Sequence, residues 1–246
     1  LLADACRINA LYMVALAGRG HLGTSLSSME AIVAIRHLMK EGDIFLSSKG
    51  HDAVAQYAVL IAHGFLPEEM LHEFRRSLPS HPTVDVSAHI AANTGSLGMG
   101  LSKAAGLAMN TEGTVYVLLG DGEMMEGQNW EAALWAGRHK SNIVAVVDIN
   151  GLSQDGAAFS QSHNIQYMFV AAGWHTFNVS RANEYENVEQ ALLDLSIYTR
   201  RPAAILLHTT KGSGVREIEG KVESHFGPPH DYAWALAGLK AKLPSD

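Results

Sequence analysis

Sulfur and charge are both scarce in this chain. A single cysteine, Cys6, stands among 246 residues. That excludes an internal disulfide framework and fits a reducing compartment such as the cytoplasm. Cys6 itself reads as a small buried apolar residue on a first helix. Charged residues make up 17% of the sequence, and acidic ones outnumber basic ones to a net charge of −7. No local cluster of Lys and Arg offsets that balance, which argues against non-specific nucleic-acid binding. No apolar run approaches the roughly 20 residues that span a bilayer, so no membrane segment is expected. There is neither a signal peptide nor an initiating Met, and the first residues already read as helix, so some native N-terminal residues are expected to be missing. Apolar residues, by contrast, reach 47%. At this length they supply the core of one large globular domain, and no repeat, low-complexity tract or linker divides residues 1–246.

The chain alternates apolar β-branched runs with helical stretches. Asp4 to Ala17 reads as an amphipathic helix, and Thr24 or Ser25 as the cap of a second helix running to about Met39. Asp43 to Leu46 is a short strand, Asp52 to Ala62 a helix, and Pro67 opens another helix through Arg75 or Arg76. A Pro-, Ser- and His-rich loop from Leu78 to His89 precedes a glycine-rich turn, Thr94 to Gly100, and a helix to about Met109. Later elements are a helix from Asn164 to Ala172, a strand from His175 to Val179, a helix from Val188 to Tyr198 and a strand from Ala203 to His208. Such alternation predicts an α/β fold with a doubly wound, mainly parallel central sheet flanked by helices.

The most informative segment lies at the centre. The apolar run Val115 to Leu119 closes on Gly120-Asp121-Gly122-Glu123, and the run Ile143 to Val147 closes on Asp148-Ile149-Asn150-Gly151-Leu152, with a helical stretch from Glu126 to His139 between them. This is a β-turn-α-β unit whose parallel strands end side by side. It delivers Asp121 and Asn150, 29 residues apart, to neighbouring loops at one edge of the sheet. A carboxylate, an amide oxygen and a loop carbonyl, that of Leu152, make a hard-oxygen site. Mg²⁺ or Ca²⁺ holding a diphosphate suits it; zinc does not. The glycine-rich turn adds a second anion-binding feature, because Gly95, Gly98 and Gly100 allow close backbone approach and the next helix offers free N–H groups.

Gly-Asp-Gly, a helix, a strand and then Asn resembles the thiamine-diphosphate motif. The surrounding residues resemble transketolase, either its N-terminal diphosphate-binding domain or the small subunit of a split form. The resemblance covers nearly all of this chain but only about the first half of a full transketolase. Thr94-Gly95-Ser96-Leu97-Gly98 matches the family's Thr-Gly-Pro/Ser-Leu-Gly turn. Of the 13 histidines, four stand in family-like contexts. Gly20-His21-Leu22-Gly23 resembles Gly-His-Pro-Gly, with leucine for proline. Ser48-Lys49-Gly50-His51 matches Ser-x-Gly-His, Ser80-His81-Pro82 resembles Gly-His-Pro, and His225, followed by Phe226, sits where the family has His-Gly.

The resemblance implies the thiamine-diphosphate-binding fold and a set of roles. His21, His51, His81 and His225 are implied as catalytic, since breaking a ketose between C2 and C3 requires proton transfer near neutral pH. His51, Gly95, Ser96, Leu97, Gly120, Asp121, Gly122, Glu123, Asn150 and His225 are implied as cofactor-binding, and Asp121, Asn150 and Leu152 as metal ligands. Glu126 matches a glutamate of the family's interface acid network, although compensation of a helix dipole explains it equally well. Arg75 or Arg76 resembles an arginine near the substrate channel, and Lys211-Gly212-Ser213-Gly214 a loop shaping the site mouth. Trp130, Trp135 and Trp174 read as core or interface packing. The segments Lys40 to Phe45 and Met109 to Val115 are shorter than in the family.

The glutamate that activates the coenzyme lies, in the family, in a second, pyrimidine-binding domain. A C-terminal transketolase-like partner subunit, in an α2β2 heterotetramer, or a longer parent polypeptide is therefore expected. The implied activity is transfer of a glycolaldehyde unit from a ketose, or ketose phosphate, donor to an aldehyde acceptor. Alternatives are transfer to a non-sugar acceptor such as a carrier protein, the α subunit of a 2-oxoacid dehydrogenase, and a non-enzymatic scaffold.

Overall fold

The computed structural model describes residues 1–158, 162–195 and 201–244. Helices α1 (Leu2–Ala17), α2 (Leu22–Ser27) and α3 (Met29–Leu38) precede strand β1 (Ile44–Ser47) and helix α4 (Ala53–Ala62). Helix α5 (Gly100–Ala108) leads into β2 (Val115–Gly120), α6 (Gly127–His139) and β3 (Ile143–Ile149). The chain continues through α7 (Ser162–Ala171), β4 (His175–Val179), α8 (Tyr185–Asp194), β5 (Ala203–His208) and α9 (Tyr232–Lys240). These five strands pair in parallel, in the order β1-β2-β3-β5-β4.

Period-two alternation on these strands sorts the core into two layers. Leu118, Val144, Val146, Ile205 and Leu207 join the apolar cluster that includes α1, α3 and α4 residues. Val117, Leu119, Ala145, Val147 and Leu206 join the cluster under α5, α6 and α7. Because both faces are covered, the strands read as continuous apolar runs instead of alternating with polar residues. The expected doubly wound parallel sheet is the fold observed. No described helix is long and apolar enough to cross a membrane.

Three local expectations need correction. The helix expected from Thr24 or Ser25 to Met39 is two helices, broken at Ser28, and neither Thr24 nor Ser25 caps it; both lie within α2. The Ser27 and Ser28 hydroxyls bond back to the Thr24 carbonyl at 3.0 and 2.8 Å. Such back-bonding competes with the helical ladder and bends it. The helix expected after Pro67 is a single 3₁₀ stretch, Glu68–His72. It stops because Phe74 bridges to Leu78 and Arg75 takes a left-handed conformation at φ 62°. The helix expected from Val188 to Tyr198 begins earlier, at Tyr185, and Tyr198 lies outside the described residues.

Candidate active site

In β2 and β3, Gly120 pairs with Asp148, so Asp121 and Asn150 leave the sheet together beyond the C-terminal strand ends. Crevices at this edge are where open parallel sheets bind ligands. A cavity of about 390 Å³ opens here, lined by Asp121, Asn150, Leu152, Lys49 and Lys211 together with all four singled-out histidines.

The loop after β3 wraps around the Asp121 carboxylate. Asn150 and Gly151 donate their N–H groups to Oδ2 at 3.0 and 2.7 Å, and Gly122 donates to Oδ1 at 2.8 Å. Asn150 is fixed at both ends of its amide. Nδ2 donates to Asp148 at 3.2 Å, and Oδ1 accepts from the Leu152 N–H at 3.0 Å. Burial, with Asp148 nearby, pushes the Asp121 carboxyl up to about 6, so a cation would be welcome beside it. Among the described residues no three His, Cys, Asp or Glu side chains converge on a metal position. The donor set is instead one carboxylate, one amide oxygen and one carbonyl, all oxygen donors. These residues fit a hard divalent cation completed by ligand oxygens or water.

The histidines converge although they come from four separate segments. The His21 ring centroid lies 5.5 Å from His51, 5.8 Å from His81 and 5.2 Å from His225. Burial first, then neighbouring positive groups, pushes His21 and His225 down to about 4 and His51 well below its ordinary value. All three are therefore neutral at pH 7. Their contacts set different tautomers. His51 Nδ1 lies 2.8 Å from the Lys49 carbonyl and must carry the ring proton, leaving Nε2 unprotonated to accept from the Thr24 hydroxyl at 3.3 Å. His225 Nδ1 lies 3.1 Å from the Lys211 ammonium and must accept, so its proton sits on Nε2. One ring offers a base; the other offers a donor.

Several residues play parts that sequence reading did not assign. Lys211, expected at the site mouth, is buried in the cavity wall, where it also donates to the Leu152 and Ser153 carbonyls at 3.3 and 3.1 Å. Lys49 and Asp148 form a buried ion pair at 2.7 Å in the cavity wall. A lysine on each side of the motif was the available signal, but its burial could not be read from spacing. Glu123, expected to contact cofactor, does line the cavity, with its carboxylate oxygens accepting from Ser48, Gly98 and Gly120. In the glycine turn, Gly95 and Leu97 line the cavity, whereas Ser96 is exposed and outside the lining. Gly98 is obligatory there: its φ is +82°, and a Cβ would sit 2.5 Å from that of Glu126. Glu126 and Trp135 are exposed, while Trp174 is buried with its indole N–H on the Ala133 carbonyl at 2.8 Å.

Comparison with known proteins matches residues 1–236 to the transketolase thiamine diphosphate binding domain. The chain belongs to the transketolase family. It is 36% identical, over 243 residues, to the SqwG subunit of a 6-deoxy-6-sulfo-D-fructose transketolase from Clostridium sp. (strain MSTE9), covering 89% of this chain and 87% of that one. It is 34% identical to one subunit of an apulose-4-phosphate transketolase from Phocaeicola vulgatus, covering 85% of this chain and 82% of the relative. Mouse transketolase is 37% identical over 92% of this chain, which spans only 39% of that relative's length. Among solved structures, a Pichia stipitis transketolase complexed with sedoheptulose 7-phosphate superposes with a TM-score of 0.87 at 28% identity, covering 98% of this chain and 40% of the other.

Proposed function

We propose that this chain is the diphosphate-binding subunit of a two-component, thiamine-diphosphate-dependent transketolase, residues 1–246 forming one such domain. One observation carries the reading: Asp121, Asn150 and the Leu152 carbonyl share a single cavity with the neutral histidine cluster. Those three residues would hold Mg²⁺, or Ca²⁺ in its place. His51, His225, Gly95, Leu97 and the Gly120–Gly122 backbone would hold the coenzyme, with Lys211 as a further cation for its diphosphate. When bound, the coenzyme supplies the carbon nucleophile and electron sink that C2–C3 cleavage of a ketose, or ketose phosphate, needs. The chain's own groups move protons. The unprotonated His51 Nε2 can take a hydroxyl proton, and His225 Nε2–H can hold an oxygen. Low proton affinity keeps both in the required form near neutrality. The His21 ring stands edge-on to the other three, and its role with His81 is to orient sugar hydroxyls.

The naming of the split relatives as subunits, and their near full-length coverage, support a partner that supplies a pyrimidine-binding domain and the activating glutamate, assembled as α2β2. Exposed Leu97, Met99 and Met125 at the rim, and Leu134 and Tyr167 on α6 and α7, are the apolar surface that such a partner would cover. A cytoplasmic setting is consistent with the lone buried cysteine. Membership of the transketolase family sets aside the 2-oxoacid dehydrogenase alternative. A non-sugar acceptor, such as a carrier protein, remains a second reading, favoured by Phe226. That ring is half exposed and stands 5.0 Å from the His21 ring at the pocket edge.

The test uses the complex with its partner. Asn150→Ala should abolish Mg²⁺-dependent retention of thiamine diphosphate through gel filtration and with it donor cleavage. Undiminished retention would remove the metal assignment, and a monomer with full activity would refute the two-component reading.

A further inference from the structure

Glu123 follows the metal motif directly, is buried at 3% exposed, and lines the cavity with its carboxylate oxygens already engaged by other groups. Its Oε1 accepts the Gly98 N–H at 2.8 Å and the Ser48 hydroxyl, and its Oε2 accepts the Gly120 N–H at 3.2 Å. Ser48 Oγ in turn accepts the Gly100 N–H at 3.0 Å. The glycine turn lies outside the sheet ladder; Gly98 and Gly100 are pinned to side chains. The strand tip differs. Asp121 N–H bonds to the Asp148 carbonyl at 3.1 Å, in continuation of the β2–β3 ladder, and its carboxylate is held by three amides of its own loops. Asp121 is thus fixed by the sheet and its own loops, while the turn is fixed by a carboxylate that also bonds the strand end at Gly120.

We infer that Glu123 is a positioning residue that sets the distance between the glycine turn and the Asp121–Asn150 tip, and so tunes the site for a ligand long enough to touch both. The inference rests on the cofactor reading above, with the metal–diphosphate end at the tip and the remainder of the coenzyme along Gly95 and Leu97. The groups bonded to the Glu123 carboxylate are all donors, so only the carboxylate satisfies all of them. Glutamine keeps the shape but turns an NH₂ group toward an N–H or O–H donor. Glu123→Gln should therefore loosen the turn against the strand end at Gly120, while Asp121 stays held by the Asp148 carbonyl and three loop amides.

The experiment compares the wild-type complex with its Glu123→Gln and Ser48→Ala variants. Binding of Mg²⁺–thiamine diphosphate and of Mg²⁺–pyrophosphate, which occupies the tip alone, is measured by calorimetry. Amide exchange of residues 94–100 is followed in cofactor-free protein. Glu123→Gln should raise the coenzyme Kd about ten-fold, as loss of a hydrogen bond to a charged group implies, with pyrophosphate Kd within about two-fold of wild type. Exchange should accelerate in residues 94–100 and at Gly120, and stay slow in β3 and in β2 up to Leu119. Ser48→Ala should give a smaller shift in the same direction. Unchanged coenzyme affinity, equal weakening of both ligands, or unaltered exchange would each overturn the inference. A wild-type complex that binds neither ligand would instead overturn the cofactor reading beneath it.

Discussion

Lys49→Met is the perturbation whose consequence the structure constrains most tightly. The Lys49 ammonium donates to Asp148 Oδ2 at 2.7 Å, to Ser28 Oγ at 3.1 Å and to the Thr24 carbonyl at 3.2 Å, with 1% of the side chain exposed. Asp148 also accepts from Ser27 Oγ at 2.7 Å, from Thr209 Oγ1 and from Asn150 Nδ2 at 3.2 Å. Methionine fills the lysine's volume but strands an anion whose remaining donors are all neutral. Breaking a buried pair from one side costs about 3–5 kcal/mol. At about 2–4 °C of Tm per kcal/mol for a domain of this size, the drop should be about 6–20 °C. Calorimetry or circular dichroism of the coenzyme-free complex measures it without interference from ligand binding. Lys49→Met/Asp148→Leu removes both charges and should lose clearly less than the two single changes combined. A Tm drop below about 2 °C for Lys49→Met, or strict additivity in the double variant, would refute the reasoning. The pH dependence follows from opposite shifts. Although burial opposes both charges, Asp148 holds the lysine above its ordinary value and Lys49 holds the aspartate below its own. The stabilisation is therefore present across neutral pH. It is lost only as pH falls through the lowered Asp148 value or rises through the raised Lys49 value.

Three further outcomes are expected. Gly23→Ala would place a Cβ 2.4 Å from Ser224 Oγ and 2.5 Å from the Ser224 carbonyl, pushing away the turn that carries His225; calorimetry should show weakened coenzyme binding, and unchanged affinity would argue against a role for that turn. His21 and His225 titrate near 4 when folded against an ordinary 6.5, so the unfolded chain takes up protons first as pH falls between these values. Urea midpoints should accordingly decline from pH 7 to about pH 4.5, more steeply than in His21→Gln/His225→Gln protein, and parallel declines would contradict the burial of neutral rings. Burial pushes the Cys6 thiol up to about 12, so a disulfide reagent near pH 8 should modify it only after unfolding. Rapid labelling of the native protein would disprove that placement.

The parallel sheet and the adjacency of Asp121 and Asn150 were legible along the chain, because each depends on short-range pattern, and the histidine set was legible through its resemblance to the family's motifs. Val115 to Leu119 and Ile143 to Val147 are uniformly apolar since both of their faces are buried, and the helix between them dictates a parallel return. The α2–α3 break was not legible, because serine back-bonds look like caps in a linear string. Nor could the helix after Pro67 be excluded, since a bridge between Phe74 and Leu78 ends it.

What folding alone decided is how the charges are used. Lys49 and Asp148 lie 99 residues apart and meet only when β1 and β3 flank β2. Lys211 reaches Leu152 and His225 from a loop beyond β5, and Glu123 in the cavity wall holds the Gly98 N–H. Residue type and spacing announce that an ionisable group is present. Its depth below the surface and the donors facing it belong to the packed tertiary structure, and they determine whether it binds, transfers a proton or holds a neighbour in place.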